Sequence, residues 1–375
     1  MKGRKMVTFC EYMKQSLGGA GSGYYSARAR IGFEGGDFFT APETSSAFAS
    51  LLALQIMELD RALGSPDPFY MIEAGPGNGT LAVSLLTIFR AADPGLYKRL
   101  SPIFYEIPGI LRERQEKRIA PFSLHHPPRW INPVGMEGDV HQKIGPGDGV
   151  VFGNEFLDAL PVHRIRGGEG GWEECYVEMT DREFREVWGP LSSEELALEV
   201  RENLGENSSD RRGHEFEICL ALPEVLGHFD RFLARGFMLW IDYGDIAEEL
   251  YSERRKKGTL LAYQNHRVTE NLLGNFQGEA DLTAFVDFSR VFRSLFRLGY
   301  RLEGYTDQMS WLMGLGFPEW LEANADHLTP EETVQAGILL HPLKMGRIFK
   351  VLLMGKGVES PEGSGFRFGG LRPPQ

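Results

Sequence analysis

The chain has 375 residues, of which 42% are hydrophobic and 25% charged, and its net charge is −12. This composition is typical of a globular protein large enough for one decorated domain or for two domains. The acidic balance argues against nucleic acid as the main partner, because contacts to phosphates need a basic surface. The three cysteines lie far apart without a C-x-x-C pair, so neither a disulfide framework nor a structural zinc site is expected.

No apolar run reaches the length of a membrane span, and the basic start of the chain leads into a mixed segment. The sequence therefore predicts a cytoplasmic protein without a signal peptide and without membrane contact. No metal site is predicted, because the pair His125-His126 lacks a plausible third ligand. The oligomeric state is left open.

The first 66 residues are predicted to form a helical extension. Thr8 and Glu11 have the spacing of a capping box, and an amphipathic helix follows them. Thr40 and Glu43 have the same spacing before a second helix, which is predicted to run to about Leu63.

A glycine-rich stretch follows this extension. A short apolar run ends in Glu73, three glycines follow at alternate positions (Gly75, Gly77 and Gly79), and the next apolar segment is typical of a helix. A strand, a glycine turn and a helix in this order open a Rossmann-like unit, in which a nucleotide-like ligand approaches bare backbone. The spacing is not the G-x-G-x-x-G/A of dinucleotide-binding proteins, which argues against an NAD-dependent oxidoreductase. It is similar to the first motif of S-adenosylmethionine (SAM) methyltransferases.

Three later apolar runs, near residues 103–106, 149–155 and 237–244, predict further strands. Continuous runs of this kind suit strands that are covered on both faces, as in a parallel sheet. The sequence therefore predicts an α/β fold with a mostly parallel sheet. The predicted domains are a helical extension (1–66), a Rossmann-like core (67–160 and 236–355), an inserted α+β subdomain (161–235) and a disordered tail (356–375).

Acidic side chains stand at the ends of the predicted strands, the edge where such folds bind ligands. Glu73 lies beside the glycine loop. Glu106 ends the second strand, where a carboxylate can accept bonds from both hydroxyls of a ribose. Asp139 stands where the loop after a third strand could meet an adenine, although a solvated acid fits its position equally well.

The fourth predicted strand ends in Asn154, Glu155 and, three residues later, Asp158. Paired carboxylates suit a cationic acceptor, because they can orient a guanidinium or amine and take up its proton. We therefore predict that these three residues are catalytic. Alternatively, the two acids cap the following segment or pair with Arg164 and Arg166.

The substrate side is predicted to include residues near two other strands. Tyr243 ends the fifth strand, and His266 and Arg267 follow a short apolar run. A lone histidine is more often structural than catalytic. A serine hydrolase is not supported, since the chain has no G-x-S-x-G motif.

Together these stretches identify a family. The chain resembles the MidA-like SAM-dependent methyltransferases, which are related to a mitochondrial complex I assembly protein that methylates arginine. The resemblance rests on four stretches in the family's order: 36–43 (GDFFTAPE), 73–80 (EAGPGNGT), 154–161 (NEFLDALP) and 281–288 (DLTAFVDF). It implies a class I methyltransferase fold, SAM as cofactor and a protein side chain, arginine first, as acceptor.

The resemblance also implies that Gly36, Asp37 and Thr40 help to close the cofactor pocket. The predicted cofactor-binding set is completed by residues of the glycine loop and of the strand ends: Glu73, Gly75, Gly77, Asn78, Gly79, Glu106 and Asp139. One departure is visible, because the family usually has His where this chain has Phe285. A different acceptor or a reduced activity would follow if that His contacts substrate. The alternatives are a non-catalytic assembly protein that retains the fold and a methyltransferase acting on a small molecule.

Overall fold

The structure, a computed structural model, describes residues 5–32, 40–133, 144–180, 183–264, 267–269, 272–274, 278–359, 363–368 and 370–374. Four of the residues singled out above lie outside this part of the chain: Gly36, Asp37, Asp139 and His266. Arg267 is described by its backbone alone.

The strands in the described part of the chain are β1 (Lys5–Thr8), β2 (Phe69–Ala74), β3 (Leu100–Tyr105), β4 (Arg129–Ile131), β5 (Gly147–Asn154), β6 (His163–Gly167), β7 (Trp172–Met179), β8 (Phe184–Gly189), β9 (Glu215–Ile218), β10 (Leu233–Asp245), β11 (Leu261–Gln264), β12 (Arg267–Thr269), β13 (Asp281–Thr283), β14 (Val286–Asp287), β15 (Arg301–Asp307) and β16 (Phe349–Lys356). The α-helices there are α1 (Phe9–Gly18), α2 (Ala41–Thr44), α3 (Ser46–Ala62), α4 (Thr80–Ala92), α5 (Pro94–Arg99), α6 (Ile110–Ile119), α7 (Glu194–Leu204), α8 (Leu222–Asp230), α9 (Ala247–Leu250), α10 (Phe288–Arg297), α11 (Gln308–Gly314), α12 (Phe317–Asn324) and α13 (Pro330–Leu340).

The main sheet has the order β15-β16-β10-β5-β2-β3-β4, and β14 pairs with β10 outside this path. The five strands from β10 to β4 are parallel to their neighbours, whereas β16 runs antiparallel to both β10 and β15. The predicted α/β character and mostly parallel centre of the sheet are therefore present, in a sheet that is mixed at one edge. The carboxyl ends of the parallel strands share one edge.

Helices cover both faces of this sheet, which explains the continuous apolar runs. Successive side chains of β2 point to opposite faces, as the period of a strand requires. Phe69 and Met71 pack into the core formed with α3 and α4, and Tyr70 and Ile72 pack into the core formed with α8 and α10. Each residue of the strand thus meets apolar neighbours.

A second sheet contains the insertion, with the order β1-β7-β6-β9 and with β8 paired to β7. All its pairings are antiparallel. A third, smaller sheet has the order β12-β11-β13. Side chains from α1 (Phe9, Met13), from β7 (Val177) and from the third sheet (Ala262, Leu282) form one shared core between these elements.

Three elements differ from the expectations. The third parallel strand, β4, lies within residues 121–133, where four prolines predict a loop. The strand is only three residues long and begins directly after Pro128. The extension is not wholly helical, because β1 adds an edge strand to the second sheet. The tail is not disordered throughout: residues 364–366 form a 3₁₀ turn that lies against Trp311.

Candidate active site

The glycine loop joins β2 to α4 at the carboxyl edge of the main sheet. Gly75, Gly77 and Gly79 have φ values of 63°, 53° and 77°, a region that side chains rarely adopt. A Cβ on Gly75 would lie 2.8 Å from the ring of Phe156. The loop therefore exposes backbone that a larger residue could not provide.

The loop is bound to the N-terminal segment through Glu43. This carboxylate accepts hydrogen bonds from Thr80 Oγ1 at 2.6 Å and from Asn78 Nδ2 at 3.3 Å. Asn78 Nδ2 also donates to the Ile31 carbonyl at 3.0 Å. Thr40 makes no capping hydrogen bond; Ser45 instead caps α3, through the Ala47 N–H. Glu43 therefore belongs to the site, although its spacing from Thr40 predicted only a helix cap.

A cavity of about 280 Å³ opens beside this loop. Its walls contain backbone and side chains from the loop, from the N-terminal segment and from the ends of three parallel strands. Of the residues predicted to bind cofactor, those that line it are Thr40, Glu73, Gly75, Gly77, Asn78 and Glu106. Asn154 and Glu155 line its other side.

Glu73 and Glu106 are buried in the cavity wall with 3% and 7% of their surface exposed. Burial raises the pKa of Glu73 to about 8, and repulsion from Glu106 adds to the effect. Burial raises the pKa of Glu106 to about 7, against the hydrogen bonds from Gln115 and from the Ile107 N–H. Among the described residues, Glu73 Oε2 is buried without a hydrogen-bond partner, which a bound ligand could supply.

Glu155 stands at the end of β5 in a left-handed backbone conformation, with φ of 55°. Its Oε1 accepts from the Ala41 N–H at 3.1 Å and from Asn154 Nδ2 at 3.0 Å. Burial and the neighbouring Asp158 raise the pKa of Glu155 to about 8. The strand end is thus tied to α2 through a carboxyl group that holds its proton near neutral pH.

Asp158 lies behind the cavity wall, 5% exposed, and burial raises its pKa to about 6. Tyr243 OH donates to Asp158 Oδ2, while Asp158 Oδ1 is buried without a partner among the described residues. The alternative pairing with Arg164 and Arg166 does not occur: Arg164 binds Glu186 and Glu215, and Arg166 binds Glu173.

Asp242 fixes the turn that carries these groups. Its Oδ2 accepts from three successive backbone N–H groups, those of residues 156, 157 and 158, at 3.1, 2.9 and 3.3 Å. Burial, with repulsion from Asp158 and Glu155, raises the pKa of Asp242 well above its ordinary range. The sequence shows Asp242 at the end of the fifth strand but gives no sign of these partners.

A further acid, Asp281 on β13, belongs to the same neighbourhood. It accepts a hydrogen bond of 2.7 Å from Tyr25 OH, and Tyr25 lines the cavity. Phe285 packs its ring against Tyr243 at 5.5 Å and lies beneath the guanidinium of Arg255 at 4.9 Å. Phe285, which stands where the resemblance leads us to expect His, therefore packs against Tyr243, whose OH donates to Asp158.

The structure thus brings together Gly75, Gly77, Glu73, Glu106, Asn154 and Glu155 around one cavity. Gly79 packs against Gln115 and is not among the described residues that line the cavity. Asp158 and Tyr243 lie next to them, and Arg267 is on the small sheet that also contains Asp281. Within the described residues, no group of three or more His, Cys, Asp or Glu side chains could hold a metal ion.

Comparison with known proteins identifies the family. Residues 51–306 match the family model described as "Putative S-adenosyl-L-methionine-dependent methyltransferase". The chain belongs to this methyltransferase family. The resemblance to MidA-like enzymes is therefore confirmed, and with it the methyltransferase activity and the cofactor, SAM.

Curated relatives and a solved structure agree with this membership. The chain is 29% identical to the mitochondrial protein arginine methyltransferase NDUFAF7 homolog of Drosophila melanogaster, over 94% of the chain and 82% of the relative. It is 27% identical to the mitochondrial protein arginine methyltransferase NDUFAF7 of Homo sapiens, over 92% and 78%. A protein from Burkholderia thailandensis, whose crystal structure contains S-adenosyl-homocysteine, superposes with a TM-score of 0.84 and is 29% identical, covering 98% of this chain and 92% of that one.

The residues of the cavity fit the adenosyl cofactor of this family. The loop offers backbone in conformations that favour glycine. Glu73, with its unpartnered Oε2, and Glu106 line the cavity beside this loop.

The expected cytoplasmic location is wrong by these comparisons, because the relatives are mitochondrial proteins. Composition and the start of the chain are poor guides to location. Among the helices in the described ranges, none is long and apolar enough to cross a bilayer.

Proposed function

We propose that this methyltransferase modifies a side chain of a protein and that arginine is its acceptor. The observation that carries the proposal is the group of buried carboxyls around Asp158, whose Oδ1 has no partner in the described structure. A guanidinium would satisfy that oxygen and neutralise the group, since its planar donors match carboxylates. The protein arginine methyltransferases among the relatives give the same acceptor.

The cofactor would lie along the glycine loop. We propose that Gly75, Gly77 and Gly79 provide its backbone contacts, that Glu106 accepts from its ribose and that Glu73 faces its cationic end. Gly36 and Asp37 remain proposed contacts from the family resemblance, and Asp139 remains one from its position after the third predicted strand. When bound, SAM supplies a methyl group on a positively charged sulfur.

The chain's own groups would then hold the acceptor and receive its proton. Asp158, oriented by Tyr243, binds the guanidinium, and Glu155 stands at the cavity wall with a pKa of about 8. The positive charge of a bound guanidinium would favour ionisation of that carboxyl, and its high proton affinity then suits it as the general base. Asn154 orients Glu155, and Tyr243, His266 and Arg267 belong to the substrate side. Positioning of the acceptor accounts for most of the rate enhancement in this scheme.

We assign the core to the class I Rossmann-like methyltransferases. Support comes from the five parallel strands, the glycine loop after β2 and the antiparallel β16 at one side of them. We also retain the division into a core (67–160 and 236–355), an inserted subdomain (161–235) and an N-terminal extension (1–66).

The test is incubation of the purified chain with isotopically labelled SAM and a mitochondrial protein extract, followed by mass spectrometry of the labelled residue. Methylarginine is expected. A pair of peptides from the labelled protein that differ only by Arg→Lys would then serve as matched substrates. Label on lysine would refute arginine as acceptor, label in the small-molecule fraction alone would favour the small-molecule enzyme, and no label anywhere would favour the assembly protein.

A further inference from the structure

Gln115, on α6, has an unusual position for a glutamine. Its side chain is fully buried, with 0% of its surface exposed, and it lies between the glycine loop and the end of β3. A Cβ on Gly79 would lie 3.3 Å from Gln115 Cγ and 3.5 Å from its Cα. The helix therefore packs directly on the loop, and Gly79 is small where Gln115 approaches it.

Both the NH₂ group and the oxygen of the Gln115 amide have hydrogen-bond partners. Gln115 Nε2 donates to the Gly77 carbonyl at 2.8 Å and to Glu106 Oε2 at 3.0 Å. Gln115 Oε1 accepts from Trp130 Nε1 at 3.0 Å. One side chain thus joins the glycine loop, the acid at the end of β3 and the neighbouring strand β4.

The orientation of the amide is fixed by these partners. The Gly77 carbonyl and the ionised Glu106 carboxylate can only accept, and an indole N–H can only donate. A flipped amide would place an oxygen against two acceptors and an NH₂ group against a donor. The tryptophan therefore keeps the donors of Gln115 directed at the cofactor side of the network.

The remaining bonds of Glu106 leave room for a ligand. Its Oε1 accepts from the Ile107 N–H at 2.9 Å, so each carboxylate oxygen has one protein donor and a further lone pair. Two hydroxyls of a ribose could each donate to one oxygen only if the carboxylate is held in a single rotamer. Gln115 supplies that constraint from outside the cavity.

We propose that Gln115 is a positioning residue that couples the glycine loop to Glu106 and thereby sets the preference for a cofactor with an intact ribose. This inference rests on the proposed role of Glu106 as the ribose acceptor. Gln115 does not line the cavity, so it acts through Glu106 and Gly77.

The test compares the binding of S-adenosyl-L-homocysteine with that of its 2′-deoxyribose analogue by calorimetry. The wild type should prefer the intact ribose. Gln115→Met keeps the side-chain length but removes the donors, and it should weaken binding of S-adenosyl-L-homocysteine about tenfold, the lower end for a hydrogen bond to a charged group. Binding of the deoxy analogue should change less, so that the ribose preference falls.

Gln55 provides a matched control elsewhere in the fold. It is also 0% exposed, donates to Glu58 at 3.0 Å and accepts from Trp311 Nε1 at 3.2 Å. It lies on α3 and is not among the described residues that line the cavity. Gln55→Met should lower the melting temperature without changing the ribose preference. In a Glu106→Gln background, Gln115→Met should cause no further loss of that preference, because both changes remove one interaction.

Each outcome decides the inference. An unchanged ribose preference in folded Gln115→Met, or an equal loss in Gln55→Met, would overturn it. If Gln115→Met does not fold, Trp130→Phe removes the bond that orients the amide while keeping an aromatic ring beside Phe104. It should reduce the preference in the same direction; no reduction would also overturn the inference. Wild type that binds S-adenosyl-L-homocysteine without a ribose preference refutes the ribose role of Glu106 and the inference with it, whereas a wild-type preference that Gln115→Met retains refutes the role of Gln115 alone. Wild type that binds neither ligand refutes the proposed cofactor site as well.

Discussion

Glu73 should destabilise the cofactor-free protein at alkaline pH, and Glu73→Gln should remove that cost. Burial keeps the proton on the folded-state carboxyl up to a pKa of about 8, against an ordinary value of 4.5. A pKa difference of this size corresponds to about 5 kcal/mol, at about 1.36 kcal/mol for each pH unit. The figure is of the order to expect, since the side chain is only 3% exposed.

The sign of the pH dependence follows from proton binding. Between pH 4.5 and about pH 8 the folded protein holds a proton on Glu73 that the unfolded chain has released. Folding stability attributable to this group therefore falls as pH rises through the window, and it is constant above and below it. The stability advantage of Glu73→Gln should be small at pH 5 and reach several kcal/mol at pH 8.5.

Urea unfolding of both proteins at pH 5, 7 and 8.5, without cofactor, measures the difference. Glu217 provides the comparison, because it is a half-buried carboxyl whose oxygens both accept bonds from Thr259, at 2.9 to 3.1 Å. Glu217→Gln should gain less stability with pH than Glu73→Gln, since the Thr259 bonds oppose the burial that raises the pKa of Glu217. An advantage of Glu73→Gln that does not grow with pH would refute the reasoning. Saturating SAM should reverse the ranking, because it binds and stabilises the wild type more strongly.

Three further outcomes are expected from the site. The affinity for SAM should rise between pH 6 and 8, as Glu106, with a pKa of about 7, ionises and becomes a better acceptor; a flat profile in calorimetric titrations would contradict this. Gly77→Val should abolish SAM binding, because φ of 53° is strained for a β-branched residue and the side chain would intrude on the ligand; undiminished affinity would remove the loop from the cofactor site. Asp158→Asn should lower kcat by about 100-fold while SAM affinity stays within about twofold, as expected when a group that binds the acceptor is lost. Steady-state kinetics and calorimetry together test this prediction. A proportional loss of SAM affinity would instead place Asp158 on the cofactor side of the site.

The parts of the site that the sequence predicts are those with a local pattern. The apolar run, Glu73 and the alternating glycines occupy eleven residues, 69–79, so their joint geometry follows from their spacing. Glu106 is visible because acids at the ends of parallel strands meet at one edge. The fold class follows in the same way from apolar runs that are buried on both faces.

The other residues depend on contacts between distant parts of the chain. Gln115 lies in a highly charged helix, where a glutamine is ordinary, and its three partners come from three other elements. Asp242 binds N–H groups 84 to 86 residues away. Glu43 has the spacing of a capping residue, and its actual partners, Asn78 and Thr80, become apparent only when α2 is packed on the glycine loop.

The edge strand β1 has a consequence for how the cofactor and a docking protein would affect each other's binding. Thr8 both ends β1 and caps α1 through the Glu11 N–H, so the second sheet and α1 are joined without a flexible linker. The last turn of α1 lines the cavity through Leu17 and Gly18. A protein that displaces the second sheet on docking would therefore also displace a wall of the cofactor cavity. Linkage requires the effect to be reciprocal, so a bound cofactor would alter the affinity for that protein by the same factor.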